Sequence, residues 1–120
     1  MGSELKILLV EDEVLTAKVI EKRLERAGYK ITITVTTGED AVSTVKETNI
    51  DIILMDICLA GEMDGIEAAS EIQNIRKTPV IFLTAYNDTE TRDGADELKP
   101  LAFLNKPVDI KELIKLLERN

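Results

Sequence analysis

Acidic residues directly follow two apolar segments of this chain. Glu11, Asp12 and Glu13 come after the segment KILLV, and Asp56 comes after IILM. Carboxylates gathered at one place repel one another unless a cation binds them, and Mg²⁺ prefers such oxygen ligands. An aspartate is also ionised at neutral pH, so it can act as a nucleophile without a base. The two segments predict a cation site beside a reactive carboxylate.

Two further apolar segments end in groups that could complete this site. Thr84 follows VIFL, and Asn105, Lys106 and Pro107 follow AFL. A hydroxyl can donate a hydrogen bond to a phosphoryl oxygen, and a lysine can neutralise one. The combination predicts phosphoryl transfer to Asp56, with Thr84 and Lys106 contacting the transferred group.

Each of these residues also has an ordinary structural explanation. Asp12 or Glu13 could cap the helix that follows, Thr84 could simply end a strand, and Lys106 could be a solvated surface lysine. Asp56 is different, because a carboxylate that ends a fully apolar strand must be solvated, paired or bound to metal. The prediction of function therefore depends on the four strand ends taken together.

The apolar segments alternate with segments of helical period. Strands are predicted at Lys6–Val10, Ile31–Val35, Ile52–Met55, Val80–Leu83 and Ala102–Leu104. Helices are predicted over 14–27 and over 39–48. A third helix is predicted from a capping box at Asp64 and Glu67 to Ile75, and the last helix begins at a second capping box at Asp109 and Glu112. Between them, a fourth helix is predicted from Asn87 or Glu90 to before Pro100. A strand–helix unit repeated five times predicts an α/β fold with a parallel sheet, whose carboxyl ends meet at one edge.

Length and composition limit the possible functions. The chain has 120 residues, no histidine, a single cysteine and a formal net charge of −8. It is expected to form one domain without a disulfide, and imidazole chemistry is excluded. The acidic surface does not favour direct binding to nucleic acid or to an anionic membrane. No apolar run approaches the roughly 20 residues of a membrane span, and no signal peptide is evident, so a cytoplasmic location is expected.

The ordered segments ILLVEDE, LMDI, MDGIEAA, VIFLTAY and FLNKP closely resemble the receiver domains of two-component response regulators, the CheY-like superfamily. The resemblance covers essentially the whole chain, so residues 1–120 are expected to be a single receiver domain. It implies a doubly wound (βα)5, flavodoxin-like fold with strand order 2-1-3-4-5. It also implies Mg²⁺-dependent phosphorylation of Asp56, with Mn²⁺ able to substitute for Mg²⁺.

The same resemblance implies a role for each site residue. Asp56 would be the phosphoacceptor. The metal ligands would be Glu11, Asp12, Asp56 and the backbone carbonyl of Cys58. The phosphoryl oxygens would contact Thr84, the Ala85 amide and Lys106. Thr84 and Phe103 would form the switch that responds to phosphorylation. The thiol of Cys58 has no activating partner in the sequence and is interpreted as incidental.

Partners and output also follow from the resemblance. The phosphodonor would be a sensor histidine kinase or a phosphotransfer protein, and small acyl phosphates could also serve. Phosphorylation would change the surface formed by the fourth helix, the fifth strand and the fifth helix, which an output domain or protein would recognise. A homodimer of phosphorylated chains is also implied as an option. The only reactions expected of the domain are its own phosphorylation and dephosphorylation, so it would not act as an enzyme on other substrates.

Four positions depart from, or vary within, the family pattern. Glu11 replaces the commoner Asp, and Ala60 replaces a frequent proline in a slightly long loop. Cys58 and Tyr86 stand at positions that vary in the family and influence hydrolysis. Bulky Tyr86 is expected to hinder attack by water and so to prolong the life of the acyl phosphate. Tyr86→Ala should then accelerate dephosphorylation, measured as the rate at which the phosphorylated mass disappears. An unchanged rate would contradict this.

Three other classes compete with this interpretation. A pseudo-receiver would bind partners without phosphorylation, but Asp56, Thr84 and Lys106 are all present. A haloacid-dehalogenase-like phosphatase would need a second acid where Cys58 stands, and usually a cap domain. A flavodoxin-like cofactor protein would need a phosphate-binding loop after the first strand, which here is occupied by acidic residues.

Overall fold

Five parallel strands form the centre of the molecule. The computed structural model describes residues 5–59, 61–85 and 94–119. The strands are β1 (Ile7–Val10), β2 (Ile31–Val35), β3 (Ile52–Asp56), β4 (Val80–Thr84) and β5 (Ala102–Asn105). Their order is β2-β1-β3-β4-β5 and all neighbours are parallel, which confirms the predicted fold. Three strands extend one residue beyond the prediction, so that Asp56, Thr84 and Asn105 are the last strand residues rather than the first loop residues.

The described helices begin and end close to their predicted positions. They are α1 (Val14–Arg26), α2 (Gly38–Glu47), α3 (Gly65–Ile75) and the C-terminal helix (Ile110–Glu118), and residues 94–96 are also helical. The predicted caps Asn87 and Glu90 lie outside the described residues. No helix in the described part of the chain is long and apolar enough to cross a membrane.

The helix ends follow from local side-chain chemistry. The predicted capping box is confirmed at α3, where Asp64 accepts from the Glu67 N–H at 2.8 Å and Glu67 accepts from the Asp64 N–H at 3.0 Å. The second predicted box is wrong: Asp109 instead accepts from the Lys111 N–H, one residue earlier than a box requires. Gly28 follows α1 with φ of +94°, a conformation that glycine adopts without strain.

The sheet is covered on both faces. Alternate residues of the central strands point to opposite sides, so Leu8, Ile53 and Phe82 join one apolar cluster, while Leu9 and Leu54 join the other. Helices α2 and α3 contribute to the first cluster, and α1 and the C-terminal helix contribute to the second. Because β1, β3 and β4 are buried on both faces, their polar groups are restricted to their ends.

Candidate functional site

Asp56 ends the central strand β3 and is 4% exposed. Its Oδ1 accepts a hydrogen bond from the Cys58 N–H at 3.1 Å, and its Oδ2 accepts one from Lys106 Nζ at 3.0 Å. The β3–β4 register pairs Asp56 with Leu83, which places Asp56 beside the end of β4. The carboxylate is therefore held by one backbone amide and one ammonium group, at the edge predicted from the sequence.

Glu11 lies immediately after β1 and is completely buried. Its Oε2 accepts from the Glu13 N–H at 3.0 Å. Its Oε1 lies 2.7 Å from Lys106 Nζ, so the buried carboxylate is paired with the ammonium group. A carboxylate oxygen has more than one lone pair, so Oε1 could also be a ligand for a hard cation.

Lys106 bridges the carboxylates of Glu11 and Asp56 and is 17% exposed at its side chain. Its backbone N–H donates to the Thr84 carbonyl at 2.8 Å, which ties the end of β5 to the end of β4. The Lys106–Pro107 peptide bond is cis. Burial alone would lower the pKa of the Lys106 ammonium, but the two carboxylates outweigh burial and raise its pKa above the ordinary value.

Burial also governs the titration of Asp56. Removal of the carboxylate from water raises its pKa, the contact with Lys106 opposes this, and the nearby charge of Glu11 reinforces it. The result is a pKa of about 6 instead of 3.8. In the absence of a metal ion, the Asp56 carboxylate is therefore ionised at neutral pH, although its burial disfavours the charged form.

The acidic cluster has the composition and spacing of a cation site. Single carboxylate oxygens of Glu11, Asp12 and Asp56 all lie within 4.8 Å of one another. Glu11 and Asp56 are buried, and Asp12 is half-buried. Three carboxylates carry more negative charge than the single ammonium group of Lys106 neutralises. The residues therefore fit a hard divalent ion such as Mg²⁺.

Known proteins share this fold and sequence. The sequence model of the family described as "Response regulator receiver domain" matches residues 7–118. The chain belongs to this family. Receiver domains of this family are parts of response regulators in two-component systems.

Two curated relatives illustrate how receivers are embedded in longer proteins. The transcriptional regulatory protein PdtaR of Mycobacterium tuberculosis is 33% identical over 113 residues, which cover 94% of this chain and 55% of PdtaR. The transcriptional regulatory protein ZraR of Salmonella typhimurium is 32% identical over 117 residues, which cover 97% of this chain and 26% of ZraR. The receiver thus spans about half of one relative and about a quarter of the other.

Solved structures agree with the fold. The signal receiver domain of a modulated diguanylate cyclase from Desulfovibrio desulfuricans G20 matches with a TM-score of 0.89 and 35% identity, over 97% of this chain and 93% of that one. The N-terminal domain of a response regulator/sensory box/GGDEF 3-domain protein from Carboxydothermus hydrogenoformans gives 0.84 and 37%, over 95% and 91%.

The structure describes four other predicted site residues of this receiver. Thr84 is buried at the end of β4, and Ala85 lines a groove together with Lys106. Cys58 is exposed and contributes its N–H to Asp56. Phe103 is half-buried in β5 and stacks on Phe82, with ring centroids 5.7 Å apart. Ala60 and Tyr86 lie outside the described residues.

Gly65 is a site residue of the receiver that the sequence analysis did not single out. A Cβ atom at this position would lie 2.1 Å from the carbonyl oxygen of Asp56 and 2.8 Å from Cα of Ile57. The Gly65 N–H also donates to the Ile57 carbonyl at 2.9 Å. Helix α3 can therefore start against the end of β3 only with glycine at this position. The available sequence clue was a glycine placed directly after a capping aspartate, where most residues are better helix formers.

Proposed function

We propose that residues 1–120 form a single phosphoacceptor receiver in which Asp56 takes a phosphoryl group from a sensor histidine kinase or a phosphotransfer protein. The observation that carries this proposal is the environment of Asp56. It is a buried, ionised carboxylate at a strand end, hydrogen-bonded to Lys106 at 3.0 Å and clustered with Glu11 and Asp12. Carboxylate, ammonium and cation site together are the parts that phosphoryl transfer to an aspartate requires.

The chemical step is a displacement at phosphorus. A carboxylate oxygen of Asp56 forms a bond to phosphorus while the bond from phosphorus to the donor nitrogen breaks, and the bonding electrons stay on the donor imidazole. Asp56 needs no base, because above a pKa of about 6 it is already ionised. Glu11, Asp12, Asp56 and the Cys58 carbonyl would hold Mg²⁺ or Mn²⁺, which would supply charge neutralisation for the phosphoryl oxygens.

The protein's own groups complete the site. Lys106 provides a positive charge beside the attacking carboxylate. Thr84 and the Ala85 amide follow one another at the end of β4, and we assign them to the remaining phosphoryl oxygens. The domain turns over no substrate except its own acyl phosphate.

Phosphorylation would act by changing the surface that a partner recognises. Phe103 stacks on Phe82 in the apolar core. A movement of the Thr84 and Phe103 side chains could therefore alter the packing of the surface formed by the fourth predicted helix, β5 and the C-terminal helix. Phosphorylation would shift the population of this surface between two states. An output domain or protein, or a second phosphorylated chain, would recognise the new state.

Intact mass spectrometry tests the chemistry directly. The wild-type chain, incubated with acetyl phosphate and Mg²⁺, is expected to gain one phosphoryl group, which shows as an increase of about 80 Da. Omission of Mg²⁺ should abolish the adduct, because the cluster would then repel the incoming anion. Asp56→Asn should also abolish it, because the carboxamide is not a nucleophile.

The matched control is Asp96→Asn, which removes an exposed carboxylate that is not part of the cluster. This variant should be labelled like the wild type. Labelling of Asp56→Asn, or an adduct that forms equally well in EDTA, would contradict the proposal. Absence of any adduct on the wild type, with a known receiver labelled in parallel, would favour a domain that binds partners without this chemistry.

The surface beside the site suggests where the protein phosphodonor binds. Val14, Leu15 and Val19 of α1 are 59%, 80% and 49% exposed, which is unusual for large apolar side chains. A groove of about 510 Å³ runs from Leu15 and Val19 to Ala85 and Lys106. The groove reaches Lys106, which contacts Asp56, so we infer that a protein donor of the phosphoryl group contacts these exposed apolar side chains.

Leu15→Ala combined with Val19→Ala is therefore expected to slow phosphotransfer from a phosphorylated phosphotransfer protein about tenfold, equivalent to roughly 1.4 kcal/mol of binding energy. Labelling by acetyl phosphate should not change, because the small donor makes no contact with α1. Leu101→Ala is the matched control, since Leu101 is 40% exposed at the opposite end of the sheet. An equal loss with both donors, or in the control, would refute this docking surface.

A further inference from the structure

The loop between β3 and α3 carries Cys58, whose backbone has two roles beside Asp56. Its N–H donates to Asp56 Oδ1 at 3.1 Å, and its carbonyl is a proposed ligand of the cation. Both roles depend on the course of the main chain directly after β3. No proline lies between Asp56 and Gly65, so no ring restricts the backbone of this loop. Its conformation must therefore be fixed by contacts.

Contacts at both ends of the loop hold it to the strand and the helix that it connects. The Gly65 N–H donates to the Ile57 carbonyl at 2.9 Å, and Asp64 caps α3. Leu59 is 8% exposed and belongs to the first apolar cluster. Between Leu59 and Asp64, Met63 is the only large apolar side chain in the sequence. It is the remaining candidate for an anchor of the loop.

Met63 packs closely against the start of α2. Its side chain is half-buried and packs against the first apolar cluster. Gly38 is the buried first residue of α2, and a Cβ atom there would lie 3.0 Å from Cγ of Met63 and 3.2 Å from its carbonyl oxygen. It would also lie 3.1 Å from Cβ of Ala68, near the start of α3. These distances are shorter than the optimum between carbon atoms, so the loop and α2 are already in close contact.

The start of α2 is also tied to the acidic cluster. Strand β2 ends at Val35, whose carbonyl accepts from the Glu11 N–H at 3.0 Å. Thr37 follows and caps α2 with its side-chain hydroxyl. Helix α2 thus begins close to the end of β1, and Met63 connects that point to the loop that follows Asp56.

We propose that Met63 is a positioning residue for the cation site, because its packing against Gly38 holds the β3–α3 loop in the conformation that the Cys58 carbonyl needs to bind the cation. The inference rests on the proposed function for the identity of the site, but its main measurement needs no phosphoryl transfer. Removal of a group that orients a metal ligand typically lowers metal affinity by about ten- to a hundredfold. Met63 acts through several residues of main chain, so the lower value is expected.

Calorimetric titration of the folded chain with MgCl₂ and, separately, MnCl₂ compares the wild type with two variants of Met63. Met63→Ala removes the contact with α2, so it should weaken Mg²⁺ binding about tenfold. Met63→Leu roughly conserves the volume and should stay within about twofold of the wild type. Urea unfolding establishes that each variant is folded under the conditions of the titration.

Val45→Ala is the matched control for a general loss of stability. Val45 is completely buried in the same apolar cluster and lies about two turns after Gly38 in α2. Its truncation leaves a cavity and should lower the free energy of unfolding. The Mg²⁺ affinity of this variant should nevertheless remain within about twofold of the wild type, because the contact of the loop is intact.

The rate of labelling by acetyl phosphate gives a second readout. In Met63→Ala, the Mg²⁺ concentration for half-maximal labelling rate should rise about tenfold, as the affinity falls. The rate at saturating Mg²⁺ should change by about twofold or less, because Asp56, Thr84 and Lys106 are unaltered. A substitution that damaged the reacting groups would lower the saturated rate instead.

Gly38→Ala tests the same contact from the other side. Its added Cβ would press on Met63, so this variant should also weaken Mg²⁺ binding. In the Met63→Ala background, where Cγ is absent, the same change should alter Mg²⁺ affinity by about twofold or less. Equal effects of Gly38→Ala in the two backgrounds would show that Met63 does not transmit the change.

The outcomes separate the inference from the proposed function. Wild-type affinity in Met63→Ala, no recovery in Met63→Leu, or an equal loss in Val45→Ala would each overturn the inference, and labelling of Asp56 would then leave the proposed function standing. A wild-type chain that binds neither cation would overturn both. Binding that Met63→Ala weakens, without labelling of the wild type, would contradict phosphoryl transfer and leave the positioning role.

Discussion

Gly65→Ala is expected to destabilise the fold by more than about 3 kcal/mol, because overpacking against backbone cannot be relieved by a change of rotamer. The added Cβ would lie 2.1 Å from the carbonyl oxygen of Asp56 and 2.9 Å from its carbonyl carbon. Relief requires α3 to move away from β3, which breaks the hydrogen bond from the Gly65 N–H to Ile57. Urea unfolding followed by far-UV circular dichroism measures the loss.

Gly94→Ala is the matched control for this substitution. A Cβ at Gly94 would meet nothing within 4 Å among the described residues, and the position is helical. Alanine should therefore be neutral there, or stabilise the chain by up to about 1 kcal/mol. Gly65→Ala with the stability of the wild type would show that α3 does not start against Asp56. In that case the geometry of the candidate site would also need revision.

Asp56→Asn is expected to stabilise the metal-free protein by about 2–3 kcal/mol at pH 7.5, since each unit of pKa shift corresponds to about 1.4 kcal/mol. The pKa of Asp56 is raised from 3.8 in a free side chain to about 6 in the folded chain, mainly by burial. Above pH 6 the folded state therefore carries an unfavourable charge. The asparagine removes this charge and keeps an oxygen for the Cys58 N–H.

The direction of the pH dependence follows from the same shift. As the pH falls through about 6, the folded wild type takes up a proton before the unfolded chain does, so its free energy of unfolding rises. This gain is complete near pH 4, below which the unfolded chain is protonated as well. Asp56→Asn should lack the gain, and the difference between the two proteins should vanish near pH 4.

Urea unfolding in EDTA at several pH values between 4 and 8 measures this difference. Asp96→Asn controls for the removal of one negative charge from a chain whose net charge is −8. Added Mg²⁺ should reduce the advantage of Asp56→Asn at pH 7.5, because a bound cation stabilises the ionised carboxylate of the wild type. If the difference in free energy of unfolding between the two proteins is constant from pH 4 to pH 8, burial does not raise the pKa of Asp56.

The sequence predicted the fold and the members of the cluster because both depend on periodic features of the chain. Continuous apolar segments predicted strands buried on two faces, and the alternation with helices predicted a parallel sheet. Parallel strands bring their carboxyl ends to one edge, which is why Glu11, Asp56 and Lys106 were expected together. The structure confirms that meeting, although the roles of these residues remain predictions.

Details that depend on three-dimensional approach were not predictable in this way. The contact between Lys106 and Glu11 depends on how far two long side chains reach across the end of the sheet. The need for glycine at position 65 depends on the distance between a helix start and a strand end. The strand ends were placed one residue early, because a polar residue such as Asp56 or Thr84 can still belong to a strand of the hydrogen-bonded sheet.

The carboxylate cluster and its lysine come from distant parts of the chain, with Glu11 after the first strand and Lys106 after the last. During synthesis, a chain in which Asp56 has already left the ribosome still lacks Lys106, whose ammonium group balances the buried negative charge. Strand β5 must dock on β4 before Lys106 can reach its partners. The pairing of Asp56 with Lys106 would therefore form only in molecules whose last strand has joined the sheet, and an unfinished chain would hold the carboxylate without this counter-charge.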